Sequence, residues 1–135
     1  METGGQGKPT RSLLILLLAC AAASLFHYVH NAQFLDAYPR MPAWLTPAGV
    51  YAAWLGVTAV GLCGYLLFCA GHALSGLALL AVYGALGLDG LGHYTLAPMS
   101  AHSAAMNLSI LLEVATAAAV LLAVAALTVS RWRSA

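Results

Sequence analysis

Apolar residues fill this chain in four long runs, interrupted by single polar side chains and by three short polar breaks. The runs cover about residues 12–31, 47–70, 72–91 and 104–130. A bilayer core of roughly 30 Å needs about 20 apolar residues in a helix, and each run meets that length. No run alternates apolar and polar residues as a half-buried strand does. The pattern predicts an all-α protein: an integral membrane four-helix bundle in one domain over residues 11–135. Pro47 opens the second run, where a first helical turn tolerates proline. Residues 1–10, with three glycines and a proline, read as a disordered tail. The glycines of the second and third runs (Gly49, Gly56, Gly61, Gly64, Gly76, Gly84 and Gly87) are expected to let helices approach closely in lipid.

Composition supports the same class. Hydrophobic residues make up 62% of the 135 and charged residues 7%, against about a quarter charged in a soluble domain. The mean hydropathy is +0.88. With five Lys and Arg against four Asp and Glu, the chain carries no basic field for nucleic acid and no acidic tail. The expected partner is the lipid bilayer, with a homo-oligomer or a larger membrane complex as further possibilities. Cys20, Cys63 and Cys69 form no CxxC pair and no even framework, so they read as small buried hydrophobes.

Lys8 and Arg11 followed by "LLILLLACAAA" have the outline of a signal peptide. The apolar run continues to Val29, however, well beyond a removable core of about 7–15 residues, so a retained helix is expected. Lys8, Arg11, Arg131 and Arg133 flank the first and last runs, and only Arg40 lies at the other end. By the positive-inside rule both termini are then cytoplasmic. Tyr38, Trp44, Tyr51 and Trp54 are expected to form an outer aromatic belt, with Trp132 at the inner surface. The Ala/Leu/Gly-rich, Arg-over-Lys usage suggests a bacterial plasma membrane.

That orientation gives the scarce polar residues a meaning. His27, His30, His93 and His102, with Asp36, Asp89 and Glu113, fall toward the outer end, while His72 alone sits in the inner loop. Side chains at i, i+4, i+7 and i+11 share a helix face. Cys20, Ser24, His27 and Asn31 fit that series on the first helix. His102, Met106, Ser109, Glu113 and roughly Thr116 fit it on the fourth, provided the helix begins near Ala101. Asp89 and His93 are i, i+4 neighbours. His27 and His30, about 60° apart around the axis, can face one cleft. The Pro39, Pro42 and Pro47 segment containing Asp36 is expected to be a plain connector, with a lid over the cleft as the other possibility.

Glu113 lies about 9–13 Å into the last span at 1.5 Å per residue. An ionised carboxylate there costs several kcal/mol unless it is paired, protonated or solvated. Two kinds of chemistry suit this set. Facing His and carboxylate side chains build metal and cofactor sites in helix bundles. His27, His30, His93, His102 and Glu113 are the candidate metal ligands, and the four histidines the candidate cofactor ligands. A transition metal or haem would be the bound group, with copper through Met99 and Met106 as one variant. Asp89, Asn31 and Asn107 would support these ligands from behind. Alternatively, Glu113 and His102 perform acid–base catalysis on a lipid or isoprenoid-like substrate. A third reading is a non-catalytic accessory subunit.

Overall fold

A computed structural model describes residues 7–134 as a bundle of helices with no strand among them. The helices are α1 (Gly7–Gln33), α2 (Pro47–Cys69), α3 (Ala73–Gly87), α4 (Gly92–Leu96) and α5 (Ala104–Arg133). A 3-10 turn, Leu88–Leu91, joins α3 to α4, and these three pieces together make one span, Ala73–Leu96. With α1, α2 and α5, that gives four helical segments long and apolar enough to cross a membrane. The tail expected over residues 1–10 lies partly outside the described residues. Positions 7–10 continue α1 as helix, with Pro9 close enough to its start to be tolerated.

Local chemistry sets the boundaries. Thr46 Oγ1 accepts the Gly49 N–H at 3.1 Å, and Pro47 follows as the first helical residue of α2. Ser103 Oγ accepts the Met106 N–H at 3.2 Å, while the Ser103 N–H reaches Met106 Sδ at 3.4 Å. This is a capping box in which methionine stands where Glu or Gln is usual. Gly71, at φ 91°, makes the sharp turn between α2 and α3, a conformation that glycine adopts without steric cost.

The helices bury their few polar residues and turn large apolar ones outward, the reverse of a water-soluble bundle. Ile15, Leu18, Leu55, Leu62, Leu66 and Leu122 are exposed, whereas Ser24, His27, Asn31, Ser109 and Glu113 are buried. One apolar core, built on Leu13, Leu17, Phe68, Leu80, Tyr83, Val120 and Val124, fills the end that carries both termini. A smaller cluster of Tyr38, Met106 and Ile110 sits toward the other end.

Glycine does part of what its density suggested. A Cβ on Gly76 would meet the Phe68 backbone nitrogen at 2.6 Å and the Gly64 oxygen at 2.8 Å, so α2 and α3 touch backbone to backbone. Gly61, Gly64, Gly84 and Gly87 also face close neighbours. Gly56 faces nothing within 4 Å, and Gly49 meets only its own cap and Leu45. Those two do not mediate helix contact. Cys63 and Cys69 are exposed on the apolar outer surface and only Cys20 is buried, a correction to the expectation for all three.

Candidate functional site

The polar stripes of α1 and α5 meet. Cys20, Ser24, His27 and Asn31 all turn inward from α1, and Met106, Ser109 and Glu113 turn inward from α5. His27 Nδ1 lies 3.1 Å from Ser109 Oγ, and that hydroxyl donates its own proton to the Met106 carbonyl at 2.9 Å. Ser109 therefore accepts from His27, which fixes the imidazole proton on Nδ1 and leaves the Nε2 lone pair facing Glu113. The Nε2 to Oε2 separation is 3.6 Å, and both side chains are almost wholly buried. Two bare lone pairs at that distance repel in a low-dielectric interior, so the pair holds a proton, either on Glu113 or on His27 Nε2.

His93 arrives from the third span, and its partner differs from the expected one. Over four residues of α-helix, Asp89 and His93 would be about 40° apart. The 3-10 turn at Leu88–Leu91 advances about 120° per residue instead. That rotation leaves Asp89 exposed at the rim of the cavity while Gly90 and His93 are buried. Asn31 takes the role expected of Asp89, with Nδ2 placed 3.1 Å from His93 Nε2. Asn31 donates, so His93 carries its proton on Nδ1. Gly90 then lies against Glu113, and a Cβ there would stand 3.3 Å from Oε2.

His102 is not on α5. It follows a 3-10 turn, Met99–Ala101, and donates from Nδ1 to the Pro98 carbonyl at 3.1 Å. Asn107 supports this corner, donating to the Met99 and His102 carbonyls at 3.1 and 3.3 Å and accepting from Tyr94 Oη at 2.9 Å. Met99 is exposed, and Met106 Sδ is engaged by the Ser103 cap.

The sequence placed Tyr38 in the aromatic belt, but only 3% of it is exposed. Its ring lies at 5.0 Å from His93, 5.8 Å from His30 and 6.4 Å from both His27 and His102, centroid to centroid. Its hydroxyl pairs with His30 Nδ1 at 2.9 Å. The segment carrying it is a cover, not a plain connector. Arg40, in the left-handed region at φ 57°, reaches the Leu96 carbonyl at 3.2 Å and ties the cover to the end of α4. Asp36 is exposed and takes no part in the cluster. Burial pushes the Tyr38 phenol above the usual tyrosine value. No local pattern separated Tyr38 from Trp44 and Tyr51, which are exposed, because its burial depends on where the loop returns. Ser24 and Ser109 were legible as stripe members, and Tyr94 was missed.

Beneath the cover lies a cavity of about 160 Å³, lined by His27, Asn31, His93, Glu113, Asp89 and Tyr28, with Met41, Leu45, Val50 and Ala53 as its apolar side. α2 packs on α1 and α3 but scarcely touches the Leu88–Leu91 turn, so the mouth lies between Ala53 and Asp89, both exposed. Ser24 Oγ, Asn31 Oδ1, His93 Nδ1 and His102 Nε2 are buried without a hydrogen-bond partner. Such atoms are uncommon in a native interior.

The metal expectation for His27, His30, His93, His102 and Glu113 is not met by this arrangement. Among the described residues, no three His, Cys, Asp or Glu side chains are grouped to hold a metal ion. One nitrogen of each histidine is already spoken for, by Ser109, Tyr38, Asn31 or Pro98, and the remaining ones do not converge. The rings of His27 and His93 pack edge to face at 5.2 Å. His30 is half-buried outside the cavity, and His72 is exposed at the opposite end of the bundle. No family model matches the chain, and no curated protein or solved structure matches it significantly.

Proposed function

We propose that this membrane protein is an embedded acid–base catalyst, with His27 and Glu113 as the proton-exchanging pair and a lipid-soluble molecule as substrate. The observation that carries the reading is the buried 3.6 Å approach of His27 Nε2 to Glu113 Oε2, at the wall of a cavity that is apolar on its other side. A carboxyl group at such depth holds or releases a proton according to its neighbours. Asn31 and His93 offer a substrate an acceptor at Oδ1 and a donor at Nδ1. Ser109 keeps the His27 tautomer fixed. His102, expected as the second catalytic group, stands behind His93 and does not line the cavity, so it is a positioning residue in this reading. In this reading the end bearing the site faces outward, which the four of five basic residues at the other end support.

The experiment is proton exchange into lipid. Protein in host-derived membranes is incubated in D2O, and the extracted lipids are compared by mass spectrometry. Wild type is expected to add deuterium to, or hydrolyse, one lipid-soluble component, and Glu113→Gln and His27→Gln are not. Identical lipid profiles for all three proteins would overturn the reading.

A further inference from the structure

We propose that the substrate is a neutral, unsaturated single-chain lipid alcohol, with its hydroxyl and adjacent double bond in the His/Glu cavity, where Glu113 adds a proton to one alkene carbon as His27 takes one from the neighbouring carbon, and its hydrocarbon chain along the α1/α2 seam. This rests on the catalytic reading above and names the substrate class of that same site.

A second cavity, of about 150 Å³, is lined by Leu14, Leu17, Leu18 and Ala21 of α1, Thr58, Gly61, Leu62 and Tyr65 of α2, and Tyr83 of α3. It is a separate cavity further along the same two helices. On α1 the polar cavity takes His27, Tyr28 and Asn31, and the apolar one takes residues 14–21. On antiparallel α2 the same order runs from Val50 and Ala53 to residues 58–65. Both therefore lie on one seam, about 9 Å apart along α1 at 1.5 Å per residue, and the apolar part runs about 10 Å further. Leu18 and Leu62 at its lip are exposed on the apolar outer surface, so a chain enters sideways from lipid.

The head group follows from what the polar cavity lacks. His93 and Asn31 both line the cavity, and His93 Nδ1–H is a buried donor without an acceptor while Asn31 Oδ1 is a buried acceptor without a donor. A hydroxyl both donates and accepts, so it is a neutral head able to pair with either. An anionic head is disfavoured, because Glu113 and Asp89 line the cavity and no Lys or Arg does. The one basic side chain of this end, Arg40, is directed to the Leu96 carbonyl.

The test uses a long-chain primary alcohol carrying a photoactivatable diazirine, either beside the hydroxyl or at mid-chain, with full-length protein in lipid nanodiscs and peptide mapping of the adducts. The head-side probe is expected to label residues 27–31 and 89–93, and the mid-chain probe residues 14–21 and 58–65. Unlabelled alcohol should compete, and the matching carboxylate should not. Ala21→Trp, which fills the groove, should cut mid-chain labelling about tenfold or more, as steric changes in apolar pockets do. Thr58→Phe is the second groove variant should the first misfold. Mid-chain adducts spread evenly over lipid-facing positions would overturn the groove, and equal competition by the carboxylate would overturn the neutral head. In either case, deuterium incorporation that still depends on Glu113 would leave the catalytic reading standing, and its loss would remove both.

Discussion

His27 of α1 and Glu113 of α5 stand 3.6 Å apart, Nε2 to Oε2, with almost no solvent contact. The distance is longer than a direct hydrogen bond, and a small rotation of either side chain closes it. What keeps the imidazole in that register is Ser109 on one nitrogen. What keeps the carboxylate there is the absence of a side chain at Gly90. Each of these contacts yields a separate expectation.

Gly90→Ala is expected to lower the activity of the site while leaving the bundle assembled. The added Cβ stands 3.3 Å from Glu113 Oε2 and 3.4 Å from Val114, so the carboxylate must give by a few tenths of an ångström and leaves its register with His27. Gly56→Ala is the control. Nothing lies within 4 Å of its Cβ position, and alanine in a helix interior gains about 0.5–1 kcal/mol over glycine. Thermal unfolding in detergent, paired with the deuterium assay, separates the two. Equal activity in both variants would show that Glu113 is not held by this contact.

Ser109→Ala removes the acceptor of His27 Nδ1–H and leaves a buried donor without a partner, a loss of about 1–3 kcal/mol. The Nδ1 tautomer is no longer enforced. Proton exchange into substrate should therefore fall more than the lowered melting temperature explains. Ser109→Thr keeps a hydroxyl and should recover part of it. Unchanged exchange in Ser109→Ala would mean that the tautomer is set elsewhere.

Tyr38 makes the cover sensitive to alkali. Burial raises its phenol above the ordinary tyrosine value, so the folded state disfavours the phenolate. The stabilisation is complete below about pH 10, the unfolded value, and is lost as pH rises through the folded one. Melting temperature measured against pH should fall on the alkaline side more steeply for wild type than for Tyr38→Phe. At neutral pH Tyr38→Phe should be the less stable protein by about 1 kcal/mol, from the lost bond to His30 at 2.9 Å. Parallel curves for the two proteins would contradict a buried Tyr38.

Orientation is tested with thiol reagents. In a cysteine-free background, Ala43→Cys in the exposed cover should react with an impermeant reagent from outside the cell, and His72→Cys should not. Arg40 is a poorer reporter, because its positive φ and its bond to Leu96 make substitution there structural. The opposite labelling pattern would invert the assignment of the site to the extracytoplasmic side.

The spans and the inward stripes of α1 and α5 were legible because apolar run length and the 3.6-residue period report directly on helices in lipid. His27, Asn31 and Glu113 accordingly meet where the stripes predicted. The third span was harder. Asp89 and His93 look like helical neighbours, but Asp89 sits in the 3-10 turn Leu88–Leu91 and is left exposed at the rim of the cavity, and nothing in "GLDGLGHY" distinguishes the two windings. His102 was assigned to a helix that begins two residues later, at Ala104. Its position comes from the Pro98 carbonyl, a loop contact that periodicity does not see. Tyr38 is central for the same reason, since burial of a loop residue is decided by the path of the return.

The most direct measurement of the central claim is the ¹⁵N spectrum of histidine-labelled protein in lipid. The account predicts a His27 signal with Nδ1 protonated and an Nε2 resonance that shifts in Glu113→Gln, while the His72 signal stays fixed. A His27 spectrum identical in wild type and Glu113→Gln would mean that the two residues share no proton, and the proposed chemistry would fall with it.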